Sequence, residues 1–141
     1  MAQSDASAYG LDTSVVLRLL VGEPKELAAG ARRFVEDSAE RGVELIVSDL
    51  VVAESYFALH FHYKVPKREA MQTLLQFLES NLIHLQKNGT SVSALQTTLA
   101  ASSKMGLVDR MIHEQYRQTS ASMVSFERAA GRLGKVKVLR G

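Results

Sequence analysis

Cysteine is absent from the 141-residue chain. That excludes a disulfide frame, a thiolate zinc site and a cysteine nucleophile, and it suits a reducing cytoplasm. No apolar run approaches the roughly 20 residues that span a bilayer, so no membrane role is expected. Met1 to Gly10 is small and polar, lacks a basic start or a hydrophobic stretch, and does not read as a signal peptide. Cytoplasmic localisation is the expectation. No internal repeat, low-complexity tract or Pro/Gly linker divides the sequence, so residues 1–141 read as a single domain, long enough to bury a core unaided. With 46% hydrophobic and 23% charged residues, usage is that of an ordinary globular protein, which excludes wholesale disorder.

A large excess of either charge is also missing: 17 Lys plus Arg stand against 15 Asp plus Glu, a formal +2. The placement is uneven, however. Residues 1–56 carry five basic and ten acidic side chains, residues 57–97 four and two, and residues 98–141 eight and three. Opposite signs at the two ends suit an anionic or acidic partner; a dipolar surface without a ligand is the plainer alternative.

Ala8 to Leu11 reads as a first strand, stopped by Asp12-Thr13-Ser14. A short helix carrying Val15, Val16, Leu19 and Leu20 follows, closed by Gly22 and Pro24. A second helix runs from Glu26 to Arg41, and Val43–Val47 is a β-branched strand. Ser48 can cap a helix from Asp49 to His62, ending before Val65-Pro66. Lys67 to Glu79 is helical, Asn81 to Leu85 a third strand, and Ser91 to Lys104 and Leu107 to Gln118 two more helices. Strands at Ala121–Ser125 and Lys135–Leu139 flank a short helix over Glu127–Leu133. Strands alternating with helices predict an α/β fold, a parallel sheet with helices on both faces in three layers.

In such a fold ligands gather at the carboxyl edge of the strands. Four acids fall there: Asp12 after strand one, Glu54 early in the helix after strand two, Asp109 opening the helix before strand four, and Glu127 just after strand four. Alone, Asp12 reads as a helix cap, and Asp109 and Glu127 as first-turn acids complementing a helix dipole. Glu54 differs. At about 100° per residue, Leu50, Phe57, Ala58 and Phe61 form an apolar stripe with Glu54 in its middle, which predicts a carboxylate on a buried face. Four converging acids would repel and carry raised pKa values without a cation. All-oxygen ligation points to Mg²⁺ or Mn²⁺, the usual means of activating water against a phosphodiester. Thr13, Ser14 and Ser125 place hydroxyls beside these acids, where they could orient a ligand.

Among other polar residues, His60 and His62 do not face each other on a helix and read as packing or surface residues. His84 reads as a core residue of its strand, and His113 has no nucleophile partner. Phe57, Phe61 and Phe77 read as core, leaving Tyr63 the one aromatic open to another role. Arg110, Arg128 and Arg132, with Arg117, Lys135 and Lys137, could contact phosphates beside the acids or simply face solvent.

The segments Leu11-Asp12-Thr13-Ser14 with Val15 to Leu20, Val51-Val52-Ala53-Glu54, Leu107-Val108-Asp109 and Ser125-Phe126-Glu127 together resemble the acidic motifs of PIN-domain nucleases, in order, spacing and context from about Tyr9 to Leu139. The resemblance implies a five-stranded parallel sheet and a Mg²⁺- or Mn²⁺-dependent endoribonuclease. At this compact length it looks most like VapC toxins of toxin–antitoxin pairs, which implies an RNA substrate, a homodimer and an antitoxin partner. By the same resemblance Asp12, Glu54 and Asp109 would hold metal and position water, with Glu127 a fourth, peripheral acid. Glu127 departs from the family's Asp by one methylene, and Ser125 replaces its Thr.

Two other enzyme classes fit the acids less well. A dehalogenase-like phosphatase needs a second acid two residues after the first, where this chain has Ser14. Receiver domains place an acid at the end of strand three, where this chain has Leu85-Gln86-Lys87. An inactive PIN-like module that binds RNA or protein is the remaining alternative, favoured only by Glu127. Nothing in the sequence names the RNA, whose recognition would rest on shape and dispersed contacts.

Overall fold

The computed structural model describes residues 7–101 and 104–141. Residues 1–6 of the polar leading segment, and residues 102–103 of the expected Ser91–Lys104 helix, lie outside them. In chain order the elements are β1 (Ala8–Gly10), α1 (Thr13–Val21), α2 (Lys25–Glu40), β2 (Glu44–Val47), α3 (Asp49–Phe57) running into a π-helical turn (Ala58–His62), α4 (Lys67–Glu79), β3 (Ile83–Leu85), α5 (Ser91–Ala100), α6 (Leu107–Gln118), β4 (Met123–Ser125), a 3₁₀ turn (Arg128–Leu133) and β5 (Val136–Val138). They fall into two compact units, Met1–Asn88 and Gly89–Gly141.

In the first unit β1, β2 and β3 form a parallel sheet in that order, with Gly10 opposite Ile46 and Val47 opposite Leu85. The backbone N–H of Leu11 donates to Ile46 at 2.9 Å, which carries the β1 ladder one residue further and leaves Asp12 at the strand's carboxyl end. Helix α2 packs on β2, α4 on β3, and α1 on both α2 and α3. Val16, Leu45, Val47, Val52, Leu59, Leu74 and Ile83 are buried core residues of this unit. Helix α1 ends because Gly22 adopts the left-handed conformation (φ 81°), a geometry with little steric cost only for glycine, and returns its N–H to Arg18 at 3.0 Å.

In the second unit β4 and β5 form a two-stranded parallel sheet. α5 packs on α6, α6 on β4, and the 3₁₀ turn on β5. Met105, Met123 and Ala130 form a small core with Ala129, Leu133 and Val136. The 3₁₀ turn lies against β5 closely enough that a Cβ at Gly131 would be in van der Waals contact with the Val138 side chain, at 3.4 Å. Among the described residues no helix is long and apolar enough to cross a membrane.

The α/β character and the parallel pairing agree with the sequence reading. The five-stranded sheet does not: the strands pair as three and two. Four of the five strands span three residues, so each contributes few ladder bonds, and composition marks such runs as strands without specifying neighbours.

A second correction concerns α3 and its π turn. The expected inward stripe faces solvent, with Leu50 77%, Phe57 44% and Phe61 61% exposed, while Val52, Ser55, Tyr56 and Leu59 are buried. Phe57 and Phe61 are therefore not core residues, and Phe77 is half-buried. His84 is exposed on β3, because the alternation of the strand buries Ile83 instead. Leu59→Ala should cost about 2–5 kcal/mol and Leu50→Ala less than about 0.5 kcal/mol, read from urea denaturation midpoints at unchanged slope.

Candidate functional site

Two helix caps stand at the carboxyl ends of neighbouring strands in the first unit. Asp12 follows β1 and caps α1; Ser48 follows β2 and caps α3 by accepting from the Val51 N–H at 3.3 Å. Because β1 and β2 are adjacent and parallel, the two helices start side by side and pack together. The first turn of α1 thereby meets the second turn of α3, and residues 41 positions apart come into contact.

The Asp12 carboxylate accepts three bonds, all on Oδ1: from the Ser14 hydroxyl at 2.6 Å, the Ser14 N–H at 3.0 Å and the Val15 N–H at 3.3 Å. Oδ2 takes none of the three and belongs to an exposed residue. Next to it, the Thr13 hydroxyl donates to Glu54 Oε1 at 2.7 Å. The capping role expected for a lone Asp12 is thus real, and it coexists with an outward oxygen. Glu54 is exposed, so it is not the carboxylate on a buried face that the helical wheel suggests. Its position is set by Thr13 rather than by burial.

The Ser14 hydroxyl, aided by the Val15 and Ser14 N–H groups, holds the Asp12 carboxyl below its ordinary value of 3.8. For this acid the shift is opposite to the one expected of crowded carboxylates, because the local donors favour the charged form.

In the second unit Asp109 lies in the first turn of α6, whose cap Gly106 supplies no side-chain hydrogen bond. Asp109, Ser125 and Glu127 line one cavity of about 230 Å³, with Met105, Ile112, Tyr116, Met123 and Val124. Ser125 directs its hydroxyl inward along the chain, accepting from the Glu127 N–H at 2.9 Å. It orders the turn that presents Glu127, which is exposed, as is Asp109. Tyr116 was not singled out by sequence; its only signal there was an aromatic ring on the polar side of a helix.

Of the basic residues, Arg128 and Arg132 are exposed, whereas Arg110 is 8% exposed on the inward side of α6. Two of the four histidines, His60 and His113, have structural roles. The His60 Nδ1–H donates to the Val65 carbonyl at 2.9 Å, bracing the π turn, and the buried His113 Nε2–H donates to the Gly134 carbonyl at 2.7 Å.

The donor set is carboxylate and hydroxyl oxygen, the ligand chemistry of Mg²⁺ and Mn²⁺. Among the described residues no three or more Asp, Glu or His side chains gather closely enough to form a cage. Mg²⁺ does not require one, since it keeps several waters and binds through one or two carboxylates. The residues fit such an ion in chemistry.

Ser14→Ala should move the Asp12 titration upward toward 3.8, read by carbon-detected NMR. A lowered folded-state pKa gives stability that is complete above the ordinary value and lost as pH falls through the lowered one. The wild-type advantage over Ser14→Ala should therefore disappear under acid conditions below about 3.8 and persist at neutral pH.

No curated protein and no solved structure matches the chain. The family model described as PIN domain matches residues 9–136, which takes in both units and all four acids. PIN domains are generally nucleases, and the chain belongs to the PIN domain family.

Proposed function

We propose that this PIN domain is a Mg²⁺- or Mn²⁺-dependent endoribonuclease that hydrolyses RNA phosphodiester bonds. We place it as the toxin of a VapBC-type pair, acting in the cytoplasm as a homodimer and silenced by an antitoxin. The observation that carries the reading is the hydroxyl-tethered pair of carboxylates, Asp12 fixed by Ser14 and Glu54 fixed by Thr13, at the carboxyl edge of a parallel sheet. The family match over residues 9–136 supports reading the chain as a single PIN domain.

In this reading Asp12, Glu54 and Asp109 hold the metal and position water, with Glu127 a fourth, more peripheral acid. A divalent cation bound there would lower the pKa of water and neutralise charge on the phosphodiester. Asp12 is suited to the task because its donors fall on Oδ1 and its cap geometry fixes the carboxylate plane. Thr13 fixes one oxygen of the exposed Glu54 carboxylate. Ser125 orders the backbone that presents Glu127. Exposed Arg128 and Arg132 suit phosphate contacts better than buried Arg110.

Purified protein freed of antitoxin should cut RNA with Mg²⁺ or Mn²⁺ and stop with EDTA. Asp12→Asn and Asp109→Asn should abolish cleavage while the fold, read by circular dichroism, stays intact. Thr13→Val keeps the side-chain shape and removes the hydroxyl; it should lower cleavage about 10- to 100-fold, as loss of a group that orients a metal ligand does. A protein that binds the metal yet leaves every RNA pool uncut would contradict this reading and favour the inactive binding module.

A further inference from the structure

A cavity of about 790 Å³ in the second unit is lined by Phe126, Arg128, Val138, Leu139, Arg140 and Gly141. Its construction is specific. The Leu139 N–H donates to the Ser125 carbonyl at 2.7 Å, which extends the β4–β5 pairing and brings the chain around Arg140 alongside Phe126. The 3₁₀ turn, which begins with Arg128, packs on β5. The lining carries two guanidinium groups and no acidic side chain, beside the apolar side chains of Val138 and Leu139.

Phe126 is 68% exposed. An aromatic ring left in solvent between two polar neighbours, in the lining of a basic cavity, has little reason to be there for the fold. It sits immediately before Glu127, whose side of the turn opens on the cavity shared with Asp109 and Ser125. A ring with two cations and apolar side chains in one lining is the chemistry of an unpaired nucleotide: the ring stacks a base, and the guanidinium groups take the flanking phosphates.

We propose that this cavity is a nucleotide subsite, in which one unpaired RNA base stacks on Phe126 and its phosphates pair with Arg128 and Arg140. The subsite rests on the nuclease reading for its biological meaning, but its binding does not depend on cleavage. It selects single-stranded RNA, because a base inside a duplex cannot present its face to Phe126. It contributes affinity with little preference among bases, since every base has a stacking face.

The test uses the full chain in EDTA, so that nothing is cut, with a fluorescein-labelled mixed-sequence hexaribonucleotide and the same strand in a duplex. Phe126→Ala and Phe126→Leu should each weaken single-strand binding about 5- to 150-fold, the loss expected for one stacked base. Arg140→Gln should reduce the salt slope by about 0.7, one phosphate contact on a single strand. The chain contains no tryptophan, so Phe126→Trp installs a single indole reporter. It should bind like wild type and be quenched by the hexanucleotide. Unchanged binding in Phe126→Ala and Phe126→Leu, an unquenched indole, or duplex bound as tightly as single strand would each overturn the subsite. Parallel cleavage assays in Mg²⁺ separate the two ideas: wild type that cuts RNA but shows any of these results keeps the nuclease reading and loses the subsite. Wild type that neither cuts nor binds loses both.

Discussion

The hydrogen bond from Thr13 to Glu54 ties the opening turn of α1 to α3 across 41 residues, and the arrangement of the acids in the first unit depends on it. Such a bond to a carboxylate contributes about 1.5–3 kcal/mol at best, and less at an exposed position, so it does not hold the fold. The fold is held by the buried side chains beneath it, Val16, Leu45, Val47 and Val52. Their packing sets β1 and β2 side by side, starts α1 and α3 at one edge, and brings Thr13 within reach of Glu54. Order therefore flows from the core outward: strand register places the caps, the caps place the helices, and two hydroxyls fix two carboxylates.

The two units divide the chemistry. The first supplies the hydroxyl-tethered acids, and the second supplies eight basic against three acidic side chains, together with the Asp109–Ser125–Glu127 cavity. The formal charge of +2 conceals this division. An exposed apolar stripe of Leu50, Phe57 and Phe61 runs beside Glu54, so the surface around that acid is both charged and greasy. On the proposed reading, an antitoxin that silences the enzyme would have to cover a surface of this mixed kind.

Where periodicity and punctuation agreed, the sequence was legible to the residue. Lys67–Glu79 follows Pro66, Leu107–Gln118 follows Gly106, and both helices have the bounds read from sequence. Helix α3 shows the limit. It carries two apolar faces, Leu50-Phe57-Phe61 and Val52-Tyr56-Leu59, and a wheel that weights bulk selects the wrong one. The switch to a π turn at Ala58 adds a further offset that no fixed period anticipates. Strand existence was legible but strand pairing was not, because three-residue runs such as Ala8–Gly10 and Met123–Ser125 fit more than one neighbour. The places of Asp12 after β1 and of Glu127 after β4 could be read from alternation alone. The partner of Thr13 could not: sequence places that hydroxyl beside Asp12, and only the three-dimensional adjacency of α1 and α3 sends it to Glu54. Phe126 was read only as the middle of a motif, since exposure is a property of the fold.

The central claim is that Asp12, Glu54 and Asp109 hold one divalent cation site, with Glu127 at its margin. The most direct measurement is a Mn²⁺ titration followed by amide NMR, in which paramagnetic broadening reports distance from the ion. The account predicts that substoichiometric Mn²⁺ broadens the amides around Asp12, Glu54 and Asp109 together, more weakly those near Glu127, and that Mg²⁺ competes the effect away. Broadening confined to one of these segments, or centred elsewhere on the chain, would contradict it.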